Sequence, residues 1–433
     1  MKIVRILVAA AVAVSLGAAT ATAYPLDAAE ATGIARLEGY RLAGKGEVTG
    51  ATLYKGSYVK SADIRLRLTG REAFDLPDAD AELSRKLRDM LGADGAHYGV
   101  AMLDLTDPEN PRYAEHQGNR IQNPGSVGKV LVALGLLQEL ADAYPDDTDA
   151  RRRVLKDTQV TADAFIGSDS HTVPLWNDGD AKITKRPLRV GDTANLWTYL
   201  DWMCSNSSNA AAAMLQKEMT LLAKFGTDYP RPVDESNAWL AETPKTELRD
   251  LFAEAIQGPI TRNGLDLEKL RQGSVFSSHG KARLPGTSSH ATARELMRFL
   301  LKMEQGRLVD EFSSLEMKRL LYLTDRRIRY ASSPALGDSA VYYKSGSLYS
   351  CQPEPDFKCY KYHGNVKNYM NSLAVVETIG RDPGLHYMVV VTSNVLRKNS
   401  AVAHQTLATR IHRLFESLHP KLGTGTISPE SEK

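Results

Sequence analysis

Ser126 and Lys129 stand three residues apart in the segment Ser-Val-Gly-Lys, and a hydroxyl and an amine at this spacing can do chemistry. The preceding Pro124-Gly125 pair and the apolar residues in 130–140 predict a buried helix that begins here. Side chains at i and i+3 share a helix face, so both can enter one cleft. A serine becomes a nucleophile when a base takes its proton, and burial can lower the pKa of a lysine enough for that role. The alternative is an ordinary helix start with a solvated lysine.

The same segment has a superficial likeness to a phosphate-binding loop. That loop follows the pattern G-x-x-x-x-G-K-[ST], in which backbone N–H groups surround the phosphates. The chain has Asn123 where the first glycine is required and Val130 where the serine or threonine is required. The sequence therefore excludes a phosphate loop at this position.

Ser207 and Asn209 form a second polar pattern, located in a short turn between two apolar helical segments. Such a turn can present a hydroxyl and an amide to a cleft. The alternative is helix capping, which is the commonest use of serine and asparagine at such positions.

Lys344-Ser345-Gly346-Ser347 forms a third pattern, and it lies on a predicted strand. It places a cation and a hydroxyl side by side. Gly346 would let a ligand approach the backbone closely. The alternative is an exposed lysine at the edge of a sheet.

These three patterns, Ser-x-x-Lys, Ser-x-Asn and Lys-Ser-Gly, occur in this order on a helix start, a turn and a strand. The arrangement resembles the penicillin-recognising serine hydrolases, the superfamily of class A β-lactamases and D-alanyl-D-alanine peptidases. Residues 188–193 and 284–296 also look like this superfamily. The resemblance covers residues 85–418.

The resemblance implies a mechanism and assigns a role to each motif residue. Ser126 would attack an amide carbonyl and form an acyl-enzyme, with Lys129 as the base or as part of the proton relay. Ser207 would pass the proton to the leaving nitrogen, and Asn209 would hydrogen-bond the side-chain amide of the substrate. No metal and no organic cofactor is implied.

The resemblance also implies how the substrate is held. Lys344 and Ser345 would bind its carboxylate in a charge-assisted interaction. The backbone N–H groups of Ser126 and Ser347 would form the oxyanion hole. Ser345 stands where class A enzymes more often carry threonine, and this change keeps the hydroxyl.

The largest departure from the superfamily concerns deacylation. Class A β-lactamases activate the hydrolytic water with a glutamate in Glu-x-x-Leu-Asn, and no such pentapeptide occurs between Asn209 and His290. Glu242 lies at a suitable distance along the chain and is the candidate base, with Glu235 and Glu247 as rivals. Without a base, the acyl-enzyme would persist and penicillin would inhibit the protein.

Three functions are therefore compatible with the sequence. The first is a serine hydrolase that cleaves a β-lactam or a related amide. The second is a D-alanyl-D-alanine carboxypeptidase or transpeptidase, a penicillin-binding protein acting on a peptidoglycan-type peptide, which the missing glutamate favours. The third is a sensor that binds a β-lactam without turnover.

The N-terminus has the pattern of a cleavable secretory signal. Lys2 and Arg5 precede the apolar residues 6–16, and Ala21-Thr22-Ala23 provides the small-residue cleavage site. Cleavage after Ala23 predicts a periplasmic or secreted protein. The apolar run is too short for a membrane span, so the sequence predicts no membrane anchor.

The charge balance bears on possible partners. Without Lys2 and Arg5, the 54 basic residues fall to 52, which equals the number of acidic residues. A chain without net positive charge or a basic cluster gives no reason to expect a nucleic-acid partner.

The three cysteines allow one disulfide and one remaining thiol. Cys351 and Cys359 flank a short proline-containing loop, and their proximity favours a bond between them in an oxidising compartment. Cys204 lies in an apolar helical segment and is expected to be buried. The alternative for Cys204 is a nucleophile, although no Cys-His pattern accompanies it.

The arrangement of apolar residues predicts the fold class, an α/β (α+β) protein. Strand patterns at 98–105, 341–349, 371–377 and 387–392 enclose a mainly helical stretch at 128–300, and amphipathic helices are predicted near 79–91 and 401–418. Strands from both ends of the chain imply one antiparallel sheet flanked by helices, with an inserted all-helical lobe.

The same reading divides the chain into four parts. We expect a signal peptide at 1–23, a β-rich N-terminal extension at 24–80, a β-lactamase-like domain at 85–418 and a disordered tail at 419–433. A cleft forms readily between a sheet and a helical lobe, and it is where the three motifs are expected to meet.

Overall fold

The structure, a computed structural model, describes residues 26–51, 53, 59–322, 327–379 and 383–422. The predicted signal peptide and residues 423–433 of the predicted tail lie outside these ranges. Within them, no helix combines the length and the apolar character that a membrane crossing requires.

A five-stranded antiparallel sheet is the centre of the fold, and its strands come from both ends of the chain as predicted. Its order is β2-β1-β11-β10-β9. The strand bounds are β1 Tyr98–Asp104, β2 Arg112–His116, β9 Ser339–Ser350, β10 Lys367–Thr378 and β11 His386–Asn394. Short strands pair in twos elsewhere: β3 Gln159–Thr161 with β6 Thr193–Asn195, β4 Val173–Leu175 with β5 Thr184–Arg186, and β7 Leu270–Arg271 with β8 His290–Ala291.

Apolar packing covers both faces of this sheet, because alternate residues of each strand point to opposite sides. Val100 and Met102 of β1 belong to one hydrophobic cluster, while Ala101 and Leu103 belong to another. The register pairs Met102 with Val389 of β11. Strands β1 and β11 are therefore buried on both faces, and their sequences are mostly apolar.

Thirteen α-helices are present among the described residues. Their bounds are α1 Ala29–Thr32, α2 Ala35–Gly44, α3 Ala81–Leu91, α4 Lys129–Ala143, α5 Thr148–Asp157, α6 Leu196–Cys204, α7 Asn209–Phe225, α8 Val233–Glu242, α9 Lys245–Arg262, α10 Ser278–Arg283, α11 Ala293–Glu304, α12 Glu311–Tyr322 and α13 Ser400–Leu418. Helices α3 and α13 pack on one face of the sheet, and α4, α11 and α12 belong to the cluster on the other. The predicted helical lobe corresponds to α4–α9.

Helix α4 carries the first motif and lies in the middle of the larger cluster. Nearly all of its residues, from Lys129 to Ala141, are buried, including the lysine itself. A helix that is apolar on every side must be surrounded by other elements. Helices α7, α9 and α12 surround it here.

The N-terminal segment differs from the β-rich extension predicted for residues 24–80. Its described residues form helices α1 and α2 and two 3-10 turns, Leu26–Ala28 and Ser61–Asp63. The only strand-like pairings of these described residues are isolated bridges from Thr49 to Lys182 and from Ala79 to Tyr113. Ile34 and Leu37 are completely buried in the same cluster as α4. The segment therefore shares the core of the rest of the chain.

Apolar and charged residues alternate in 64–68, which is the pattern of a strand with one buried face. Ile64 and Leu68 point into the core, and the residues between them are more exposed. The backbone N–H of Arg67 donates to the Glu304 carboxylate at 2.9 Å, and that of Leu68 donates to the Glu304 carbonyl. The alternation therefore reflects an extended segment with one buried side, which pairs with no strand among the described residues.

The start of the predicted tail is also ordered. His419 lies 2.7 Å from Asp104 through its Nε2, and a 3-10 turn spans Pro420–Leu422. The prediction of disorder from residue 419 is wrong for these four residues, because a side-chain contact ties them to the end of β1.

Candidate active site

The amine of Lys129 is the centre of the site. Its Nζ lies 3.0 Å from the Oγ of Ser126, 2.7 Å from the carbonyl oxygen of Ser207 and 2.6 Å from the Oδ1 of Asn209. Residues of the first and second motifs therefore meet at one atom.

Burial changes the acidity of this amine. Lys129 is 0% exposed, and desolvation lowers its pKa to about 7, while the carboxylate of Asp169 opposes the shift. The hydrogen-bond acceptors around its Nζ are uncharged oxygens, and the Phe276 ring lies 4.7 Å away. A lysine of this kind is partly neutral at physiological pH and can accept a proton.

Ser126 is presented on a 3-10 turn, Gly125–Gly128, that leads into α4. The turn packs directly against strand β9. A Cβ on Gly346 would lie 2.6 Å from the backbone nitrogen of Ser126, so only glycine permits this approach. The contact brings the backbone of Ser126 and Ser347 to the same place.

Ser207 connects the two lysines of the site. Its Oγ accepts a hydrogen bond from the Nζ of Lys344 at 2.9 Å and lies 3.5 Å from the Nζ of Lys129. Its backbone has φ of +61°, a left-handed conformation that is costly for a residue with a side chain. The turn thus holds the hydroxyl between two amines.

Asp169 is a site residue that the sequence reasoning missed. Its Oδ2 accepts hydrogen bonds from the N–H groups of Asn209 and Ala210 at 2.7 and 3.0 Å, and from the Oγ of Ser208 at 2.9 Å. These bonds satisfy N–H groups at the start of α7. Burial alone would raise the pKa of Asp169, but these hydrogen bonds and the neighbouring His171 keep it well below its usual range.

His171 is attached to the same carboxylate. Its Nδ1 lies 2.6 Å from the Oδ1 of Asp169, and its ring lines the cleft. Both residues come from the polar segment between β3 and β4, and nothing in their spacing relates them to Asn209. Only the folded chain brings them to the second motif.

Arg329 is a second residue that the sequence reasoning missed. Its guanidinium donates to the Oγ of Ser345 at 2.9 Å, to the Oγ of Ser347 at 3.1 Å and to the hydroxyl of Tyr362 at 2.9 Å. It is the first residue of a 3-10 turn, Arg329–Ser332, and no motif surrounds it in the sequence. The third motif therefore has a second cation beside Lys344.

These elements enclose a cleft of about 520 Å³, a volume typical of a small-molecule site. All the predicted substrate-binding side chains except Gly346, which has none, lie on its wall. The wall comprises Asn123, Gly125, Ser126, Ser170, His171, Cys204, Ser205, Ser207, Asn209, Gln272, Ser274, Val275, Phe276, Lys281, Ser289, Ile328, Arg329, Tyr343, Lys344, Ser345, Ser347, Leu348, Tyr349, Lys361 and Tyr362. Among the described residues of this wall, none is aspartate or glutamate.

The structure does not bring Glu242 to the cleft. Glu242 is the exposed last residue of α8, and the rivals Glu235 and Glu247 are exposed as well. Glu235 pairs with Arg231 at 2.6 Å. The distance along the chain was a poor guide, because Glu242 lies on the solvent side of α8.

The cysteines behave as predicted. Cys351 and Cys359 form a disulfide with their Cα atoms 6.1 Å apart, directly after β9. Cys204 is a buried thiol at the end of α6, and burial raises its pKa to about 12. A thiol of that pKa is a poor nucleophile at neutral pH.

One cluster of potential metal ligands occurs away from the cleft. Glu304, Glu377 and His386 come close to one another. The Nζ of Lys318 lies 2.8 Å from Glu304 and 2.6 Å from Glu377, so a cation of the protein itself already occupies the space between the acids. The cluster has the character of a buried ion pair network.

The cleft brings together a half-buried serine, a buried lysine, a serine turn and a lysine on a strand. With this fold, the arrangement is that of a β-lactamase-like serine hydrolase. Residues 82–412 of the 433-residue chain match the β-lactamase enzyme family. The chain belongs to this family, as its resemblance predicted.

Solved structures agree with this assignment at the level of the fold. A β-lactamase from Chitinophaga pinensis is 18% identical, with a TM-score of 0.51 and coverage of 77% of this chain and 98% of that chain. A β-lactamase from Sphaerobacter thermophilus is 15% identical, with a TM-score of 0.50 and coverage of 78% and 98%. No curated protein matches the sequence of this chain.

Proposed function

We propose that this protein is an exported serine hydrolase that opens an amide, a β-lactam or a related peptide, through an acyl-enzyme on Ser126. The observation that carries this proposal is the contact of 3.0 Å between the Ser126 hydroxyl and the fully buried amine of Lys129, whose pKa is lowered to about 7. A neutral amine at this distance can accept the hydroxyl proton as the oxygen attacks.

The second step needs a proton for the leaving nitrogen. Ser207 is suited to deliver it, because its hydroxyl lies between the amines of Lys129 and Lys344. The proton that Lys129 takes from Ser126 would return through the Ser207 hydroxyl as the carbon–nitrogen bond breaks. The result is an ester on Ser126 and a neutral amine product.

The remaining groups bind the substrate. We assign the oxyanion hole to the N–H groups of Ser126 and Ser347, whose backbones the Gly346 contact brings together. Loss of such a donor typically costs about 2.7–4 kcal/mol of transition-state stabilisation. Lys344 and Ser345 would hold the carboxylate.

Asn209 would meet the other end of the substrate. Its Oδ1 accepts a hydrogen bond from Lys129 at 2.6 Å, which directs its amide nitrogen away from the lysine. That nitrogen can donate to the side-chain carbonyl of a substrate.

Export is part of this proposal. The disulfide between Cys351 and Cys359 supports it, because such bonds persist in oxidising compartments. The signal pattern that ends at Ala23 supports it independently.

A D-alanyl-D-alanine peptidase is the second candidate, and one observation favours it. None of the described residues that line the cleft is a carboxylate, so no side chain of the kind that class A enzymes use to activate water faces Ser126. Acylation would then be efficient and β-lactam release slow.

The test is a chromogenic cephalosporin in excess, followed by colour and by intact mass. Sustained colour release identifies a β-lactamase, and one equivalent of colour with a lasting mass increase identifies a penicillin-inhibited peptidase or sensor. Ser126→Ala should lose both signals while keeping its circular dichroism spectrum. Ser170→Ala removes another cleft hydroxyl and should keep both.

Two results would contradict the proposal. One is the absence of any colour release or mass change with the unmodified protein. The other is a mass increase that persists in Ser126→Ala, which would place the nucleophile elsewhere.

A further inference from the structure

Helix α6 leads directly into the second motif, and the N-terminal segment holds this helix at both ends. The helix ends at Cys204, three residues before Ser207. Asn195 caps its start and Asp201 lies in its last turn, and each contacts a residue of the N-terminal segment. The position of the second motif therefore depends on residues that lie 163 and 165 positions earlier in the chain.

The contact at the start of α6 requires a glycine. The Nδ2 of Asn195 donates to the carbonyl of Thr32 at 2.8 Å, and its Oδ1 accepts from the backbone N–H of Thr198 at 2.9 Å. Gly33 has φ of +71°, and a Cβ on it would lie 2.6 Å from the same Nδ2. Only a residue without a side chain allows the N-terminal segment to pass this close to α6.

The contact at the end of α6 is a buried ion pair. Arg36, in the first turn of α2, donates from its Nε to the Oδ2 of Asp201 at 2.6 Å and from its Nη2 to the Oδ1 at 2.5 Å. The two side chains are 4% and 0% exposed. A guanidinium that makes two parallel bonds to a carboxylate fixes the orientation of both groups.

This ion pair is a costly way to join two helices. Arg36 is a cation at the start of α2 and Asp201 is an anion at the end of α6, so the dipole of each helix opposes its own charge. Burial adds the cost of desolvating both groups, and two apolar side chains in the same space commonly give equal stability. The pair therefore indicates a demand for fixed geometry at the end of α6.

The same contacts continue into the turn that carries the second motif. The Nη2 of Arg36 also lies 3.3 Å from the Oγ of Ser205. The backbone N–H and the Oγ of Ser205 both donate to the carbonyl of Asp201, at 2.7 and 2.6 Å. Ser205 lines the cleft and stands two residues before Ser207. Arg36 is thus connected to Ser207 through buried hydrogen bonds and a short stretch of backbone.

Ser207 has a conformation that needs such support. Its left-handed φ of +61° persists only where the surrounding structure holds it. Its carbonyl accepts from Lys129 at 2.7 Å, and its hydroxyl lies between the amines of Lys129 and Lys344. Relaxation of this residue would move the hydroxyl and the carbonyl together.

We infer that Arg36 is a positioning residue for the reaction at Ser126, and that its pair with Asp201 holds Ser207 in the geometry that proton transfer requires. The inference rests on the proposed function, which gives Ser207 the role of proton carrier. Arg36 precedes residues 82–412, which match the family. The N-terminal segment is thereby assigned a part in catalysis in addition to its packing in the core.

The test replaces the whole pair, so that no buried charge is left alone. Arg36→Met is combined with Asp201→Leu, and acylation by benzylpenicillin is followed by acid quenching and intact mass at increasing concentrations. We expect the limiting acylation rate to fall about 10- to 100-fold, because small displacements of catalytic groups have effects of this size. The half-saturating concentration should stay within about threefold, since Lys344 and Ser345 lie on β9 and are untouched.

Two single variants make the test specific to the geometry of the pair. Arg36→Lys keeps the charge and loses the two-point contact, so its limiting rate should lie between those of the double variant and the unmodified protein. Arg41→Met removes a cation from the same helix at a partly exposed pair with Glu38. It should leave the limiting rate within about twofold of the original.

The outcomes separate positioning from stability. Partial unfolding lowers the fraction of protein that is labelled, whereas misplacement of Ser207 lowers the rate at which the folded fraction is labelled. A double variant that is acylated at the original limiting rate overturns the inference, because the pair would then serve only the fold. If the unmodified protein is not acylated by benzylpenicillin at all, the proposed function is the part that fails.

Discussion

Two of the lysines that the structure describes are completely buried, and their environments are opposite. Lys129 in the cleft contacts the neutral oxygens of Ser126, Ser207 and Asn209. Lys318, beneath the N-terminal segment, contacts the carboxylates of Glu304 and Glu377 and the carbonyl of Arg65. Both have 0% exposure.

The comparison shows that burial alone does not make a lysine a base. Two acids balance the charge of Lys318, which serves to connect strand β10, helix α11 and the N-terminal segment. No carboxylate contacts the amine of Lys129, so burial lowers its pKa to about 7. The partners decide whether a buried amine stabilises the fold or performs chemistry.

The largest expected effect tests the chemical half of this comparison. Lys129→Met should slow acylation by a chromogenic cephalosporin by about 10²–10⁴-fold, because the proton acceptor is lost. The free energy of unfolding, measured in urea, should change by no more than about 1–2 kcal/mol. The substitution removes the cost of burying an amine and also removes the hydrogen bonds of that amine, and the two effects offset each other. An acylation rate within a few fold of the original would remove Lys129 from the mechanism.

The next effect tests the structural half. Lys318→Met should lower the free energy of unfolding by about 3–5 kcal/mol, because Glu304 and Glu377 lose their counter-charge inside the protein. Adding Glu304→Gln and Glu377→Gln should recover part of the loss. The acylation rate of the folded fraction should stay close to that of the unmodified protein, and a selective loss of acylation would contradict the division of roles.

The pH dependence sharpens the comparison further. Because Lys129 must be neutral to accept a proton, the acylation rate should rise with pH through about 7 and then level. In the unfolded chain the lysine has its ordinary pKa of 10.5, so it keeps its proton up to about that pH. Between pH 7 and pH 10.5 unfolding therefore takes up a proton, and the free energy of unfolding rises with pH. Lys129→Met should lose this part of the stability profile, whereas Lys318→Met should keep it.

The smallest effect concerns the candidate deacylating base. Glu242 is exposed at the end of α8 and does not line the cleft, so Glu242→Gln should leave the acyl-enzyme lifetime unchanged. Glu235→Gln is the matched control on the same helix. A longer lifetime in Glu242→Gln alone would show that α8 approaches the cleft during deacylation.

Short-range patterns predicted most of the fold. Helix α3, strand β1 and helix α13 lie where the patterns placed them, within one or two residues. The disulfide was predictable for the same reason, since Cys351 and Cys359 are separated by only a short loop. The structure of the N-terminal segment was not predictable in this way. Alternating apolar residues in 64–68 show only that one side of the segment is buried. A strand and an extended segment that is hydrogen-bonded to Glu304 give the same pattern.

The sequence by itself determined the nucleophile and base candidates, because Ser126 and Lys129 are one helical turn apart and their proximity is local. It also determined the order of the three motifs. Only the tertiary structure decided which distant groups join them. Asp169 reaches Asn209, and Arg329 reaches Ser345, through contacts that no spacing encodes. The lowered pKa of Lys129 likewise depends on helices packed around α4, since desolvation is a property of the assembled core.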